Sequence, residues 1–88
     1  MTPISLFYGI VVYMYTDKSR DVKVPHIHVV FKDEEAVISL EGDVLDGYLR
    51  PEKLKLIEAW LCIHEDDLLA NWKVMLNGNE VFRIEPLR

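Results

Sequence analysis

The sequence predicts an α+β fold: a mainly antiparallel sheet of four to five strands, with two helices from the C-terminal half packed on one face, in the order β-β-β-β-α-α-β. Three observations predict it. Apolar and β-branched residues fill or alternate along the first half of the 88-residue chain, broken by clusters of turn residues. From Pro51 the apolar spacing changes to the three-and-four repeat of a helix. The helical stretch that results is too long for one straight helix in a chain of this size.

The elements follow in order. From Leu6 to Tyr15 the residues are β-branched or aromatic at both parities, interrupted by Gly9, which fits a central strand covered on both faces. The polar segment TDKSRDVK is a loop, and Pro25, which cannot donate to a ladder, stands at the mouth of the next strand. Ile27, Val29 and Phe31 share one face. On the following run Ala36, Ile38 and Leu40 do the same, so a turn at Asp33 and Glu34 pairs Phe31 with Ala36, Val29 with Ile38 and Ile27 with Leu40. This register sets His28 opposite Ser39 and His26 opposite Glu41, on the other face. Gly42 and Gly47 bracket a short, weakly marked strand.

Pro51 suits the first position of a helix, where its missing N–H has no partner to lose. Leu54, Ile57 and Leu61, flanked by Leu56, Trp60 and Ile63, make one broad stripe, and Leu68, Leu69, Trp72, Met75 and Leu76 make a second, ended by Asn77-Gly78-Asn79. A single helix from Pro51 to Leu76 would be about 39 Å long at 1.5 Å per residue. A break near His64 is therefore expected, and the acids of HEDD suit the first turn of the helix that follows. The closing VFRIEPL alternates and reads as a last strand returning to the sheet edge.

Length and composition limit the function. The chain reads as one domain, residues 1–88, with a core thin enough that a partner or a second copy would help to cover it. Half of the residues are apolar or aromatic, which argues against disorder. The one cysteine, Cys62, has no partner for a disulfide and sits in an apolar helix. No basic leader or cleavage site opens the sequence, and the run from Ile4 to Tyr15 is too short to span a bilayer, so the reading is a cytoplasmic protein. A formal charge of -5 argues against nucleic acid as the primary ligand. The small basic groups Lys18, Arg20, Lys23 and Arg50, Lys53, Lys55 read as solvated surface.

The residues with chemistry to offer are the histidines, which number three. His26 and His28 lie two apart on one strand and aim the same way. They suit a metal site, an acid-base pair, or the wet face of an ordinary strand. If the first helix packs across that face, His64 joins them as a catalytic group, with Glu41 or Asp67 as carboxylate. Strand parity opposes this, because the helices must cover the face of Ile27, Val29 and Phe31; an end-on helix or strong twist is needed to bring His64 round. No phosphate-cradling loop, dinucleotide fingerprint or nucleophile signature is present.

ISLFYGIVVYMY, PHIHV, HEDDLLANW and RIEPL, in this order, resemble a short bacterial and archaeal family known as domain of unknown function 4160. The sequence differs from that pattern in a longer loop before Pro25, in Val24 where a second proline is usual, and in Asp67 where glutamate is usual. The resemblance implies one half of a two-gene cassette of the toxin-antitoxin kind, and carries over His26, His28 and His64. Two functions follow. One is an interaction protein that pairs with a cognate small protein from a neighbouring gene or with itself, through Trp72, Phe82 and Ile84. The other is a small His-dependent nuclease or hydrolase of the toxin type, with a divalent metal on His26 and His28 or with none. The acidic charge favours the first.

Overall fold

A computed structural model describes residues 2–17 and 22–88. Among these residues five strands and two helices run in the order β1 (Ser5–Phe7), β2 (Ile10–Tyr13), β3 (His26–Phe31), β4 (Glu34–Ser39), β5 (Val44–Gly47), α1 (Pro51–Ile63) and α2 (Glu65–Leu76). The strands form one antiparallel sheet in sequence order, so every connection within it joins neighbours. This is the expected α+β fold. Lys18 and Arg20 of the first basic group lie outside the described residues.

The strand expected from Leu6 to Tyr15 is a hairpin. Tyr8 at φ 49° and Gly9 at φ 79° turn the chain in two residues and pair Phe7 with Ile10 and Ser5 with Val12. Positive φ at both turn positions matches the right-handed twist of the strands on either side. The β3–β4 turn falls at Lys32 and Asp33, with Lys32 at φ 55°, one residue earlier than expected. That move slides the register by two: Val29 faces Ala36, Ile27 faces Ile38, and His26 faces Ser39, not Glu41. A slip of two keeps every side chain on its expected face.

One face of the sheet, carrying Phe7, Ile10, Val12, Ile27, Val29, Phe31, Ala36 and Ile38, forms a single core cluster with Ile57, Trp60 and Leu61 of α1 and Leu68 and Trp72 of α2. The helical residues recur at i, i+3 and i+4, as a stripe must. Phe7 and Trp60 pack with ring centroids 5.3 Å apart and anchor α1. The chain breaks at His64, whose φ of -109° and ψ of 24° leave the helical region, and Glu65, Asp66 and Asp67 occupy the first turn of α2.

The terminal segment returns to the sheet edge but adds no ladder strand. The Ile84 N–H donates to the Ile4 carbonyl at 2.7 Å. Around that bond, side chains hold the tail: Trp60 Nε1 donates to the Glu85 carbonyl at 2.8 Å, and Asn71 donates through Nδ2 to the Phe82 carbonyl and accepts the Phe82 N–H, at 3.0 and 2.9 Å. Main-chain groups that a ladder would use are thus taken by helix side chains.

Candidate functional site

Pro25 delivers the chain into β3, and the alternation of the strand turns His26 and His28 to the face opposite Phe31. That face is not wet at this point: His26 is 1% exposed and His28 5%. Tyr15 stacks on His28 with centroids 3.7 Å apart and planes 8° from parallel. Trp72 lies against His26 at 5.1 Å, and the two imidazoles meet edge to face, also at 5.1 Å. The four rings form a continuous file from the end of β2 to α2.

Each imidazole holds a main-chain carbonyl. His26 Nδ1 donates to the Val24 carbonyl at 2.7 Å, and His28 Nε2 donates to the Tyr15 carbonyl at 3.2 Å. A carbonyl only accepts, so these bonds fix which ring nitrogen carries the hydrogen. His26 Nε2 is buried without a hydrogen-bond partner among the described residues.

His64 is placed elsewhere. Its ring packs 5.7 Å from that of Trp60, and its Nδ1 stands 3.8 Å from the Asp67 carboxylate. From α2 it is Trp72 that reaches His26, and among the described residues no ring contact joins His64 to the pair. Glu41 stands on a groove described below. Among the described residues, no three His, Cys, Asp or Glu side chains are grouped as metal ligands. Of the expected partner-binding residues, Trp72 and Ile84 are buried within the chain, and Phe82 is exposed.

Two hollows flank the file of rings. One, of about 280 Å³, is open on the histidine face and lined by Tyr13, Tyr15, His28, Val30 and Glu35. The other, of about 310 Å³, lies between the start of β3, the β4–β5 turn and the first turns of α2. Its apolar lining includes Val24, Leu40, Leu45 and Leu69. Its acids are Glu41, Asp43 and Glu65.

Arg50 and Lys53, at the start of α1, serve the fold. Glu34 accepts from the Arg50 main-chain N–H at 2.9 Å and from its Nε at 3.1 Å, with a further guanidinium nitrogen 3.0 Å away. These hydrogen bonds hold the Glu34 carboxyl below its usual range. Lys53 donates to the Tyr8 carbonyl at 3.1 Å, and Arg50, Lys53 and Lys32 all stand 4.7 to 5.3 Å from the centre of the Phe31 ring.

Sequence reasoning missed Tyr15 and Trp72 as the neighbours of the histidines, and Asn71 as a clamp. A signal for Asn71 existed: it sits between Leu68 and Met75 on an apolar stripe, where a polar side chain needs a buried partner.

The family described as Domain of unknown function (DUF4160) matches residues 9–73. The chain belongs to this family. The DUF4160 match takes in the Gly9 turn, the PHIH strand and the helices through Trp72, and it ends before the tail that Asn71 and Trp60 hold. No curated protein and no solved structure matches the chain. No helix of the described residues is long and apolar enough to cross a membrane.

Proposed function

We propose that this DUF4160 chain is a small cytoplasmic interaction protein, one component of a bacterial two-gene module of the toxin-antitoxin kind, and that it binds the small protein encoded beside it. The observation that carries the reading is the distribution of exposed apolar side chains. Leu6 and Tyr8 stand at the β1 edge of the sheet, and Val44, Leu45 and Tyr48 at the β5 edge. Apolar groups on the two edge strands suit a partner that covers the rim, and at β5 one that adds to the sheet, since the tail already bonds the chain beside β1 at Ile4. The acidic balance adds a preference for a basic partner.

Co-expression with the neighbouring gene, followed by purification through a tag on one chain, tests the reading. A stoichiometric complex, larger by light scattering than either chain alone, is expected. A chain that stays monomeric and retains no neighbour at high concentration would overturn it.

The hydrolase reading draws on one observation, the hollow that presents His28 beside Tyr13, Tyr15 and Glu35. Metal analysis and nuclease assays on wild type and His28→Ala test it; activity that vanishes in the variant while the fold persists would favour it over the interaction reading.

A further inference from the structure

We infer that the groove between the β4–β5 turn and α2 receives an extended segment of the partner protein in which lysine or arginine side chains stand beside branched aliphatic ones. The inference rests on the interaction reading above and adds the surface and the partner's chemistry.

The groove pairs an apolar floor with negative charge that no described residue neutralises. Val24, Leu45 and Leu69 each leave a large part of the side chain exposed, and all three line the same hollow. Single exposed aliphatic residues are ordinary, but a group of them around one concavity is a binding surface. Glu41, Asp43 and Glu65 line it too, and among the described residues no lysine or arginine does. No side-chain hydrogen bond or ion pair joins any of these three carboxylates to another described residue. Glu65 has a local role in the first turn of α2, but Asp66 and Asp67 share that role without lining the groove. The Glu41 and Asp43 side chains have no such role. Three like charges beside apolar surface set up a negative potential that a cation brought from outside relieves.

Size and position narrow the ligand. About 310 Å³ lies at the small end of pockets that enclose a whole cofactor, and fits one or two anchoring side chains. The groove adjoins β5, the edge strand, through Leu45. At the far end of β5 the Asp46 carboxylate accepts the Gly47 N–H, so an added strand pairs along the Val44–Leu45 end, beside the groove. A strand laid there turns every second side chain to the groove, so a basic and an aliphatic residue two apart meet the acids and the apolar floor together.

Three short peptides, each with threonine at every second position, test this on the full, isotope-labelled chain by amide chemical shifts: their remaining positions take lysine and leucine by turns, glutamate and leucine, or lysine and serine. The lysine-leucine peptide is expected to shift the amides of Leu40, Asp43, Leu45, Glu65 and Leu69, and the other two to bind at least about tenfold more weakly. Asp43→Lys and Glu65→Lys change exposed side chains and are expected to weaken the lysine-leucine peptide by a similar factor, with a melting curve close to wild type for Asp43→Lys and a somewhat lower one for Glu65→Lys, which loses a first-turn carboxylate. Equal binding of the acidic or the serine peptide, shifts centred on the Tyr13–His28 hollow, or undiminished binding by both variants would overturn the inference. Co-purification with the neighbouring gene product separates the two levels. A partner retained by wild type and lost by both variants supports the groove. A partner retained by all three sinks the groove and leaves the interaction reading standing, and a partner retained by none sinks both. Self-association of the wild type that either variant abolishes would assign the groove to a second copy, and overturn it too.

Discussion

Asn71→Ala tests whether side chains of α1 and α2 hold the tail. Asn71 is 0% exposed and makes two hydrogen bonds with one residue, accepting the Phe82 N–H and donating to its carbonyl. Each bond contributes about 1 kcal/mol net, and a group left buried and unpaired costs about 1 to 3 kcal/mol. Phe82 itself is 42% exposed, so water can reach the freed main-chain groups, and the lower figure applies. The expected loss is about 2 kcal/mol for the pair. In a domain of this size that lowers Tm by about 8 to 16 °C. Thermal and urea melts followed by circular dichroism measure it, and hydrogen exchange at the Phe82 amide locates it. Asn71→Asp keeps the acceptor but sets a carboxylate oxygen against the Phe82 carbonyl, so it is expected to destabilise at neutral pH and to recover in part when acid protonates the carboxyl. A Tm within about 4 °C of wild type, with Phe82 exchange unchanged, would refute the clamp.

Two further substitutions and one pH series follow from the same geometry. A Cβ on Gly47 would lie 2.2 Å from the Glu35 carbonyl oxygen at φ +79°, whereas one on Gly78, also at φ +79°, meets nothing within 4 Å. Gly47→Ala is therefore expected to cost more than about 2 kcal/mol and Gly78→Ala about 1 kcal/mol, with the urea midpoints in that order; the reverse order would be a refutation. Because Arg50 holds the Glu34 carboxyl below its usual 4.5, the pair's contribution is present above pH 4.5 and lost as pH falls through the lowered value. Wild type should lose stability more steeply than Glu34→Gln below pH 4.5, and parallel acid titrations of Tm would contradict this. His28→Ala removes the bond to the Tyr15 carbonyl and the stacked ring, and is expected to cost about 1 to 3 kcal/mol without changing metal content. A stoichiometric metal lost from the variant with an unchanged melt would reverse that assignment.

What was legible in the sequence depended on local periodicity. The shared face of His26 and His28 came out correctly although the register slid by two, because parity survives an even slip. The helix break at His64 followed from length and from the acids of HEDD. The register itself depended on which residue takes positive φ, and at Lys32 a long side chain gives no sign of it. Gly9 was visible, but the tyrosine before it is not a usual hairpin signal, so one strand was read where the chain folds back. The tail alternates like a strand, yet the partners that claim its main chain, Asn71 and Trp60, come from helices that sequence distance does not connect to it. Burial of the histidines was invisible for the same reason: it needs Tyr15 from the end of β2 and Trp72 from α2.

The histidine pair gains a role from this arrangement without any chemistry at the ring. His28 holds the carbonyl of Tyr15, where the chain leaves β2, and His26 holds that of Val24, where it arrives at β3, so the two rings fix both ends of the connection. Val24 and Pro25 line the groove beside Glu41 and Asp43. The position of that wall therefore depends on a hydrogen bond of 2.7 Å from a buried ring that touches no ligand. His26→Ala is expected to weaken the lysine-leucine peptide by misplacing Val24, and to do so equally at low and high salt, because the acids that line the groove are unchanged. Glu65→Lys acts through charge, so its deficit should shrink as salt screens the wild-type attraction beyond about 10 Å at 0.1 M. Peptide titrations at two ionic strengths, on variants shown to be folded by their melts, distinguish the two. A salt-dependent deficit in His26→Ala, or none at all, would break the link between the histidine strand and the groove.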